Sequence, residues 1–383
     1  MSERTPCAVC RKCGGCQLQN MDYDRQLQWK QQKCEKLLAS FGRVKRIIGM
    51  KDPYHYRNKV QTAFQRDRNG RILYGVYQSS TDRVVSVKLC QTEDKQAQKI
   101  IKSIAELLKS FKLTVYDPAS RRGLLRHVLV RRGFATGEIM VVLVTGTPVF
   151  PANRNFAKAL VKLHPEITTI VHNVHKGTLP MVLGPQEKVL YGPGFIRDIL
   201  CGLKFRISSR SFYQINPVQT EKLYQKAMEL AELTSEDTAL DAYCGIGTIG
   251  LVAAKTAGKV IGVEQTRDAV RDAVTNAREN KLKNTWFETG DAGEFMAEYR
   301  QSGEGVDVLF MDPPRTGSDA AFLREALKMK PRRLVYISCN PETLARDLRV
   351  LCAGGYRVRE IQPFDMFPFT NHVETVVLMS RKI

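Results

Sequence analysis

The stretch Thr238-Ala-Leu-Asp-Ala-Tyr-Cys-Gly-Ile-Gly-Thr-Ile-Gly250 decides the fold. It begins as a short apolar strand and continues into a loop with glycines at positions 245, 247 and 250. The same loop opens a helical pattern, and glycine lets the backbone come close to whatever the loop holds. A strand, a glycine loop and a helix in this order indicate the first nucleotide-binding unit of an α/β sheet.

Strands and helices alternate on both sides of this stretch, from about residue 217 onward. The predicted elements are helix 218–232, strand 238–243, the helix after the glycines, strand 260–264, helix 266–280, a short strand near 286, strand 306–311, a helix from about 319 and a strand ending at 339. This alternation predicts a doubly wound parallel sheet. The last two strands, 357–363 and 373–379, have no helix between them, so we expect them to be antiparallel.

The segment Val335-Tyr-Ile-Ser-Cys-Asn-Pro-Glu-Thr-Leu344 passes from an apolar strand directly into a helix. Asn340 suits the N-cap and Pro341 the first helical position, which predicts a helix from 341 to about 351. Cys339 would then face the N–H groups of a helix start, which favour the thiolate, the nucleophilic form of cysteine. The alternative is a small cysteine buried in the core.

Charge divides the chain into two halves. The formal net charge of the 383 residues is +20; residues 1–205 carry 35 Lys and Arg against 15 Asp and Glu, whereas residues 206–383 carry 24 of each. A basic module joined to a neutral one predicts that the first half binds a polyanion, although a basic surface also improves solubility. With no leader sequence and no apolar run of about 18 residues, we expect a cytoplasmic protein that does not enter a membrane.

Four cysteines lie within ten residues near the start, in Cys7-Ala-Val-Cys-Arg-Lys-Cys-Gly-Gly-Cys16. This spacing predicts a metal or cluster site, since a reducing compartment disfavours disulfides. Zinc usually takes two pairs of ligands, whereas three close cysteines plus a distant one are typical of iron–sulfur sites. Cys90, predicted at the end of a strand, is the candidate distant ligand, and the four close cysteines could also complete a site alone. The predicted domains are 1–20 (cluster motif), 21–205 (a basic helix and a β-rich domain that binds the polyanion) and 206–383 (the α/β domain).

Acidic residues at the strand ends indicate what the glycine loop holds. Glu264 ends the next strand, where a carboxylate accepts hydrogen bonds from ribose hydroxyls, which suits both nicotinamide dinucleotides and S-adenosylmethionine. Asp241 and the later Asp312-Pro-Pro-Arg315 favour S-adenosylmethionine. The alternatives are a turn cap at Asp312 and a plain surface acid at Glu264.

Five motifs together resemble the RNA 5-methyluridine (uracil-5-) methyltransferase family over nearly the whole chain. They are Ser211-Phe-Tyr-Gln-Ile-Asn216, Asp241-x-Tyr-Cys-Gly-x-Gly247, Asp312-Pro-Pro-Arg-x-Gly317, Ser338-Cys-Asn340 and Phe364-Asp-Met-Phe-Pro-x-Thr-x-His-Val-Glu374. The cysteines at 7, 13, 16 and 90 are similar to the 4Fe–4S site of bacterial members that act on 23S ribosomal RNA. Cys10 is not part of that pattern.

The resemblance implies a basic α+β RNA-binding domain followed by a Rossmann-like methyltransferase domain, in a monomer that methylates carbon 5 of a uridine in 23S ribosomal RNA with S-adenosylmethionine. It assigns nucleophilic attack on carbon 6 to Cys339 and proton removal from carbon 5 to Glu374. It implies that the cofactor site is lined by Gln214, Tyr243, Glu264, Asp291 and Asp312. Without the family, Asp291 could be a helix N-cap, and Glu374 is an acid in an otherwise apolar strand, functional or outward-facing.

Two rival functions fit part of the sequence. An amino-methyltransferase acting on adenine or guanine also carries Asp-Pro-Pro, but it places an aromatic residue after the prolines and needs no cysteine, whereas this chain has Arg315 and Cys339. A non-catalytic RNA-binding assembly factor could retain the fold. Both the cysteine and Glu374 favour an enzyme, and the motifs leave open which uridine is modified.

Overall fold

The computed structural model describes residues 7–78, 81–177 and 181–381. Its helices are α1 (Cys10–Cys13), α2 (Tyr23–Leu38), α3 (Lys95–Ser110), α4 (Asn153–Leu163), α5 (Pro217–Ala231), α6 (Thr248–Ala253), α7 (Arg267–Glu279), α8 (Ala292–Gln301), α9 (Ala320–Met329) and α10 (Pro341–Ala353). Its strands are β1 (Lys59–Arg66), β2 (Ile72–Tyr77), β3 (Val84–Ser86), β4 (Leu125–Arg132), β5 (Ile139–Thr145), β6 (Ile167–Val174), β7 (Gln186–Tyr191), β8 (Phe195–Leu200), β9 (Leu203–Ser208), β10 (Thr238–Ala242), β11 (Lys259–Glu264), β12 (Thr285–Thr289), β13 (Val308–Met311), β14 (Arg333–Ser338), β15 (Tyr356–Phe364) and β16 (Glu374–Arg381). Within these ranges, no helix has the length and apolar character that crossing a membrane requires.

The chain divides into two units, each assembled from separate segments. Unit 1 comprises Met1–Asn20, Pro53–Ile199 and Arg206–Arg210, and unit 2 comprises Met21–Asp52, Leu200–Phe205 and Ser211–Ile383. Residues 21–52, predicted to belong to the basic domain, therefore group with the catalytic half. The physical reason is burial: Cys34 and Leu38 of α2 are fully buried in the core of unit 2, and Lys30 forms a buried ion pair with Asp365.

Unit 1 is built on a seven-stranded sheet in the order β3-β2-β1-β4-β5-β6-β7. Among the described strand pairs of this sheet, β5 with β6 is the parallel one, so the unit combines helices with a largely antiparallel sheet. Apolar residues of α3 and α4, such as Ile104 and Phe156, form one core with Val60 and Val128 of the sheet. The unit carries 28 Lys and Arg against 11 Asp and Glu, whereas unit 2 carries 31 against 28. The basic charge is therefore a property of unit 1.

Unit 2 contains the predicted doubly wound sheet, in the order β12-β11-β10-β13-β14-β16-β15. The first five strands of this order are parallel, and β16 pairs antiparallel with both β14 and β15. The prediction for the last two strands is thus confirmed. Residues 44–48 continue past β15 with parallel bridges from Val44 to Ile361 and from Ile48 to Phe364. The first segment of unit 2 therefore covers the edge of its sheet.

Candidate active site

The parallel strands of unit 2 end together at one edge of the sheet. Ala242 on β10 pairs with Val263 on β11 and with Met311 on β13. The next residue on each strand is level with the others, and these residues are Tyr243, Glu264 and Asp312. Ligands of open α/β sheets bind outside the carboxyl ends of the strands, so this row marks the candidate site.

The glycine loop after β10 forms a tight turn against that row. Gly245 and Gly247 have φ angles of 55° and 83°, where glycine is favoured, and Tyr243 has a φ of 72°. Gly250 donates its N–H to Asp241 Oδ2 at 2.7 Å, and a Cβ at Gly250 would lie only 3.1 Å from that oxygen. The predicted loop and helix start are therefore confirmed, since α6 begins at Thr248.

A cavity of about 280 Å³ opens beside this loop. It is lined by Tyr243, Val263, Glu264, Gln265, Gly290, Asp291, Ala292, Pro314, Thr316, Gly317 and Asp319. Three of the five predicted cofactor residues, Tyr243, Glu264 and Asp291, line it, whereas Gln214 and Asp312 lie outside the lining. Gln265 also lines the cavity, as do three residues after Asp312-Pro-Pro: Thr316, Gly317 and Asp319. None of these four was predicted to do so.

Glu264 and Asp291, two of the three carboxylates in the lining, are held by the backbone. Glu264 accepts hydrogen bonds from the Gly245 N–H at 3.2 Å and the Thr266 N–H at 2.8 Å. Asp291 Oδ1 accepts from the Gly293 N–H at 2.8 Å, so Asp291 is the N-cap of α8. Asp291 also lines the cavity. The cap and the cavity position are compatible, since each oxygen of a carboxylate has its own lone pairs.

Cys339 and Glu374 lie level with each other across two antiparallel strands. Ser338 on β14 pairs with Thr375 on β16, so the next residue of β14 is opposite the preceding residue of β16. Cys339 is half-buried and Glu374 is 2% exposed. Side chains of directly opposite residues lie on the same face of a sheet, which brings the thiol and the carboxyl together.

The helix after Cys339 starts where the sequence predicts. Asn340 is the N-cap of α10 and accepts a hydrogen bond from the Glu342 N–H at 3.1 Å, with Pro341 in the first turn. The expected thiolate is not favoured by the surroundings of Cys339. The pKa of Cys339 is raised to about 12, mainly by burial and also by the negative charges of Glu374 and Asp312, while Arg315 opposes the shift. Desolvation outweighs the field of the helix start.

Neighbouring carboxyls are shifted in the same direction. Burial raises the pKa of Glu374 well above its usual range, with a further contribution from Asp312, and Arg315 again opposes the shift. Burial also raises the pKa of Asp312 to about 7. Cys339, Glu374 and Asp312 thus form a cluster of ionisable groups with raised pKa values at one strand edge, which marks this edge as a candidate functional site.

The loop after Asp312-Pro-Pro is fastened to α10. The Arg315 carbonyl accepts hydrogen bonds from Asn340 Nδ2 at 3.2 Å and Thr343 Oγ1 at 3.3 Å. Asp347, fully buried, accepts from the Ser318 N–H at 2.9 Å. No local pattern points to Asp347, because its partner Ser318 is 29 residues away along the chain. These bonds hold the loop that carries Arg315 against the start of α10, directly after Cys339.

Comparisons with known proteins identify the family of this chain. The model of the family described as tRNA (Uracil-5-)-methyltransferase matches residues 196–382. A protein of Halalkalibacterium halodurans, named an uncharacterized RNA methyltransferase, is 44% identical over 98% of this chain and 83% of its own length. A similarly named protein of Listeria monocytogenes is 42% identical over 98% of this chain and 83% of its own length. The chain belongs to the RNA uracil-5-methyltransferase family. It is therefore an RNA methyltransferase, and RNA is its substrate.

A solved structure extends this likeness to the three-dimensional level. The tRNA (uracil-54, C5)-methyltransferase of Pyrococcus abyssi, in complex with S-adenosyl-L-homocysteine, superimposes with a TM-score of 0.81 at 29% identity. The match covers 99% of this chain and 88% of that one. The fold of this RNA methyltransferase is thus shared with a uracil-5-methyltransferase.

The carboxylates around the cavity of this family member suit a polar ligand. Carboxylates at Glu264 and Asp291 can accept from hydroxyl and amino groups. Asp241 is fully buried, and its Oδ1 has no hydrogen-bond partner among the described residues. A buried acceptor without a donor is costly, and a ligand with an N–H or O–H group would satisfy it.

The amino-terminal cysteines of this family member gather around one pocket in unit 1. A cavity of about 80 Å³ is lined by Cys7, Cys10, Cys13, Cys16 and Cys90, among other residues. The pKa of Cys16 is raised to about 12, mainly by burial and in part by nearby Cys90. Cys90 lies in the loop after β3, which ends at Ser86, rather than at the end of a strand as predicted. Within residues 7–78, 81–177 and 181–381, no three His, Cys, Asp or Glu residues stand in a metal-binding arrangement.

The raised pKa of Asp312 predicts a pH-dependent gain in stability when its charge is removed. A carboxyl with a higher pKa in the fold than in the unfolded chain stabilises the fold while it is protonated, and this contribution is lost as pH rises from about 4 through about 7. Asp312→Asn should therefore raise the melting temperature at about pH 8 more than at about pH 4. Thermal unfolding across this range, with the exposed Asp268→Asn as control, measures the difference. An equal or larger gain at acidic pH would contradict the burial argument.

Proposed function

We propose that this RNA methyltransferase transfers a methyl group from S-adenosylmethionine to carbon 5 of a specific uridine in 23S ribosomal RNA. The observation that supports it best is the position of Cys339 level with Glu374 at the strand edge that carries the cavity. Carbon 5 of uracil is a poor nucleophile. Its methylation therefore needs a cysteine that adds to carbon 6 and a carboxylate that removes the proton from carbon 5.

The reaction proceeds through a covalent bond to the enzyme. The Cys339 thiolate adds to carbon 6, and the electron pair of the 5,6 double bond moves into an enolate that makes carbon 5 nucleophilic. Bound S-adenosylmethionine supplies the methyl group for carbon 5. Glu374 then removes the proton from carbon 5, the double bond re-forms, and the cysteine leaves as a thiolate.

Arg315 favours the charged forms of these groups. Its guanidinium lowers the pKa of both Cys339 and Glu374, although burial has the larger effect. The thiol becomes a nucleophile once its proton has passed to solvent. The hydrogen bonds from Asn340 and Thr343 to the Arg315 carbonyl keep this cation on the loop next to the nucleophile.

The cofactor site is proposed at the cavity and the strand ends around it. Glu264 would accept from the ribose hydroxyls and Asp291 from the adenine amino group, with Tyr243 beside them. Gln214 and Asp312, outside the lining of the empty cavity, would contact the methionine part. Asp312 is level with Tyr243 and close enough to Cys339 to raise its pKa, which suits a position between donor and nucleophile.

The substrate assignment has a second candidate. The P. abyssi neighbour acts on transfer RNA and superimposes on this whole chain, which favours transfer RNA. The cysteines at positions 7, 13, 16 and 90 favour 23S ribosomal RNA, because they resemble the cluster site of the bacterial ribosomal members. The basic unit 1 suits either RNA.

Mapping of 5-methyluridine distinguishes the two substrates. Incubation of the purified enzyme with S-adenosylmethionine and unmodified 23S ribosomal RNA should produce 5-methyluridine at one or two defined positions, detected by mass spectrometry of nuclease fragments. Unmodified transfer RNA in a parallel reaction should remain unmethylated. Methylation confined to transfer RNA would overturn the ribosomal assignment, and methylation on an amino group would overturn C5 chemistry altogether.

We further propose that Cys7, Cys13, Cys16 and Cys90 bind a 4Fe–4S cluster, with Cys10 spare. Soft thiolates are the donors that iron–sulfur clusters require, and five of them border one pocket of unit 1. The methyl transfer described above needs no electron transfer. A role in shaping the basic unit for RNA therefore fits the cluster better than a role in the chemistry.

Loss of the cluster should weaken RNA binding before it affects the methyl donor. Cys90→Ser should lose iron and the absorbance at about 400 nm, and RNA affinity should fall by about 10-fold or more while S-adenosylmethionine affinity is unchanged. Cys10→Ser is the matched control, since it changes a cysteine of the same pocket and should retain iron. Iron loss in Cys10→Ser with retention in Cys90→Ser would contradict the ligand set, and equal loss of both affinities would contradict the role.

A further inference from the structure

The loop between β15 and β16 delivers Glu374 to the site. Phe364, the last residue of β15, pairs directly with Glu374, the first residue of β16, so the loop begins and ends at this pair. Asp365, Met366 and Phe369 of the loop are fully buried. Any shift of this loop would move the carboxyl of Glu374.

A buried ion pair from α2 holds the first residue of the loop. Lys30 Nζ lies 2.5 Å from Asp365 Oδ1, and both side chains are fully buried. The same ammonium donates to the Phe367 carbonyl at 3.0 Å. Tyr23, about two turns before Lys30 on α2, donates its O–H to Asp365 Oδ2 at 2.8 Å. Both oxygens of Asp365 are therefore fixed by side chains of one helix.

Three side-chain amides hold the loop backbone. Gln26, fully buried on α2, accepts from the Phe369 N–H at 2.9 Å. On α5, Gln219 Nε2 donates to the Asp365 carbonyl at 3.2 Å, and the N-cap Asn216 donates to the Met366 carbonyl at 2.9 Å. The loop is thus tied by directional bonds to two helices of unit 2, α2 and α5.

Stability alone is a weak reason for such an arrangement. A buried ion pair costs desolvation that its attraction only partly offsets, and apolar side chains of similar size would often stabilise the core as well. Directional bonds do something apolar contacts do not, because they fix the position of the bonded group. A general base has to lie within hydrogen-bond reach of the proton it removes, and small displacements slow the reaction strongly.

We propose that Tyr23, Gln26, Lys30 and Asp365 are positioning residues that hold Glu374 where it removes the carbon 5 proton. The proposal rests on the role of Glu374 given under the proposed function. These residues touch neither the substrate nor the methyl donor. They act through the loop, and their effect is confined to the proton-removal step and the release of the cysteine that follows it.

The test is a double variant that leaves no unpaired buried charge. Lys30→Met with Asp365→Asn should fold, retain the KM for S-adenosylmethionine and RNA within about 2-fold, and lose about 10²-fold in kcat. Slow proton removal should also leave a covalent protein–RNA adduct, seen as a band that survives denaturing electrophoresis. Arg332→Met is the control, since it breaks the 2.6 Å ion pair with Asp237 at the opposite ends of the strands and should lower stability without slowing kcat or trapping RNA.

Tyr23→Phe and Glu374→Gln complete the experiment. Tyr23→Phe removes one bond to Asp365 with little risk to folding, and it should lower kcat by about 3- to 10-fold with some adduct. Wild-type kcat and no adduct in the folded double variant, or in Tyr23→Phe if the double variant does not fold, would overturn the positioning role. Adduct with Glu374→Gln but not with the double variant would overturn that role alone. Adduct with neither would overturn the assignment of Glu374 as the base.

Discussion

Replacing Cys339 with alanine should abolish methyl transfer while leaving the methyl-donor site intact. The nucleophile forms the bond that activates carbon 5, so its removal should lower kcat by about 10⁴-fold or more. The cavity is lined by residues of β10, β11 and the loops after β12 and β13, and Cys339 is not among them. Calorimetric titration with S-adenosylmethionine should therefore give the wild-type affinity.

Cys352→Ala is the matched control for this experiment. Cys352 is also a half-buried cysteine of the segment that includes α10, but it lies at the end of the helix far from the strand edge. Its replacement should leave turnover unchanged. If Cys339→Ala kept about a tenth of wild-type activity or more, the covalent mechanism would be excluded.

Replacing Glu374 with glutamine should trap the enzyme on its RNA. Glutamine has the shape of glutamate without a basic carboxylate, so carbon 6 attack and methyl transfer can occur while the carbon 5 proton remains. Turnover should fall by about 10³-fold, and a protein–RNA adduct should accumulate. The uridine in this adduct should carry the added methyl group only when S-adenosylmethionine is present. Denaturing electrophoresis with labelled RNA measures the adduct directly.

Glu342→Gln is the control for the trapping experiment. Glu342 lies in the first turn of α10, three residues after Cys339 along the chain, and its side chain is 64% exposed. It should turn over normally and leave no adduct. A Glu374→Gln variant that turned over at the wild-type rate would show that another group removes the proton.

Much of unit 2 could be predicted from the sequence because its signals are local. The glycine loop needs positive φ angles at Gly245 and Gly247, and Asn340 followed by Pro341 is a local signal for a helix start. The antiparallel ending followed from the missing helix between the last strands. Each of these features depends on residues close together in the chain, so the local sequence is enough to predict it.

Features that depend on distant partners could not be predicted. Lys30 lies 335 residues from Asp365, and only their contact shows that α2 belongs to the catalytic unit. The pKa of Cys339 likewise depends on burial and on Glu374 and Asp312, which the local helix start does not reveal. Asp291 is both a helix cap and a cavity residue, so the two sequence interpretations were not exclusive.

The raised pKa values give the site a consistent resting state. The pKa of Cys339, raised to about 12, keeps this thiol protonated at neutral pH, and the pKa of Asp312 is raised to about 7. Buried acids of this kind cost stability when they ionise, which folded enzymes accept at functional sites. Binding of the substrates and the charge of Arg315 then have to favour the thiolate, which links catalysis to the assembly of the full site.

Mass spectrometry of the Glu374→Gln adduct tests the central claim most directly. The adduct formed with RNA and S-adenosylmethionine is digested with protease and nuclease, and the cross-linked peptide is sequenced. The account predicts a peptide containing Cys339 joined through sulfur to a uridine that carries the mass of one added methyl group. A cross-link at another residue, or methylated RNA with no cross-linked Cys339 peptide, would contradict it.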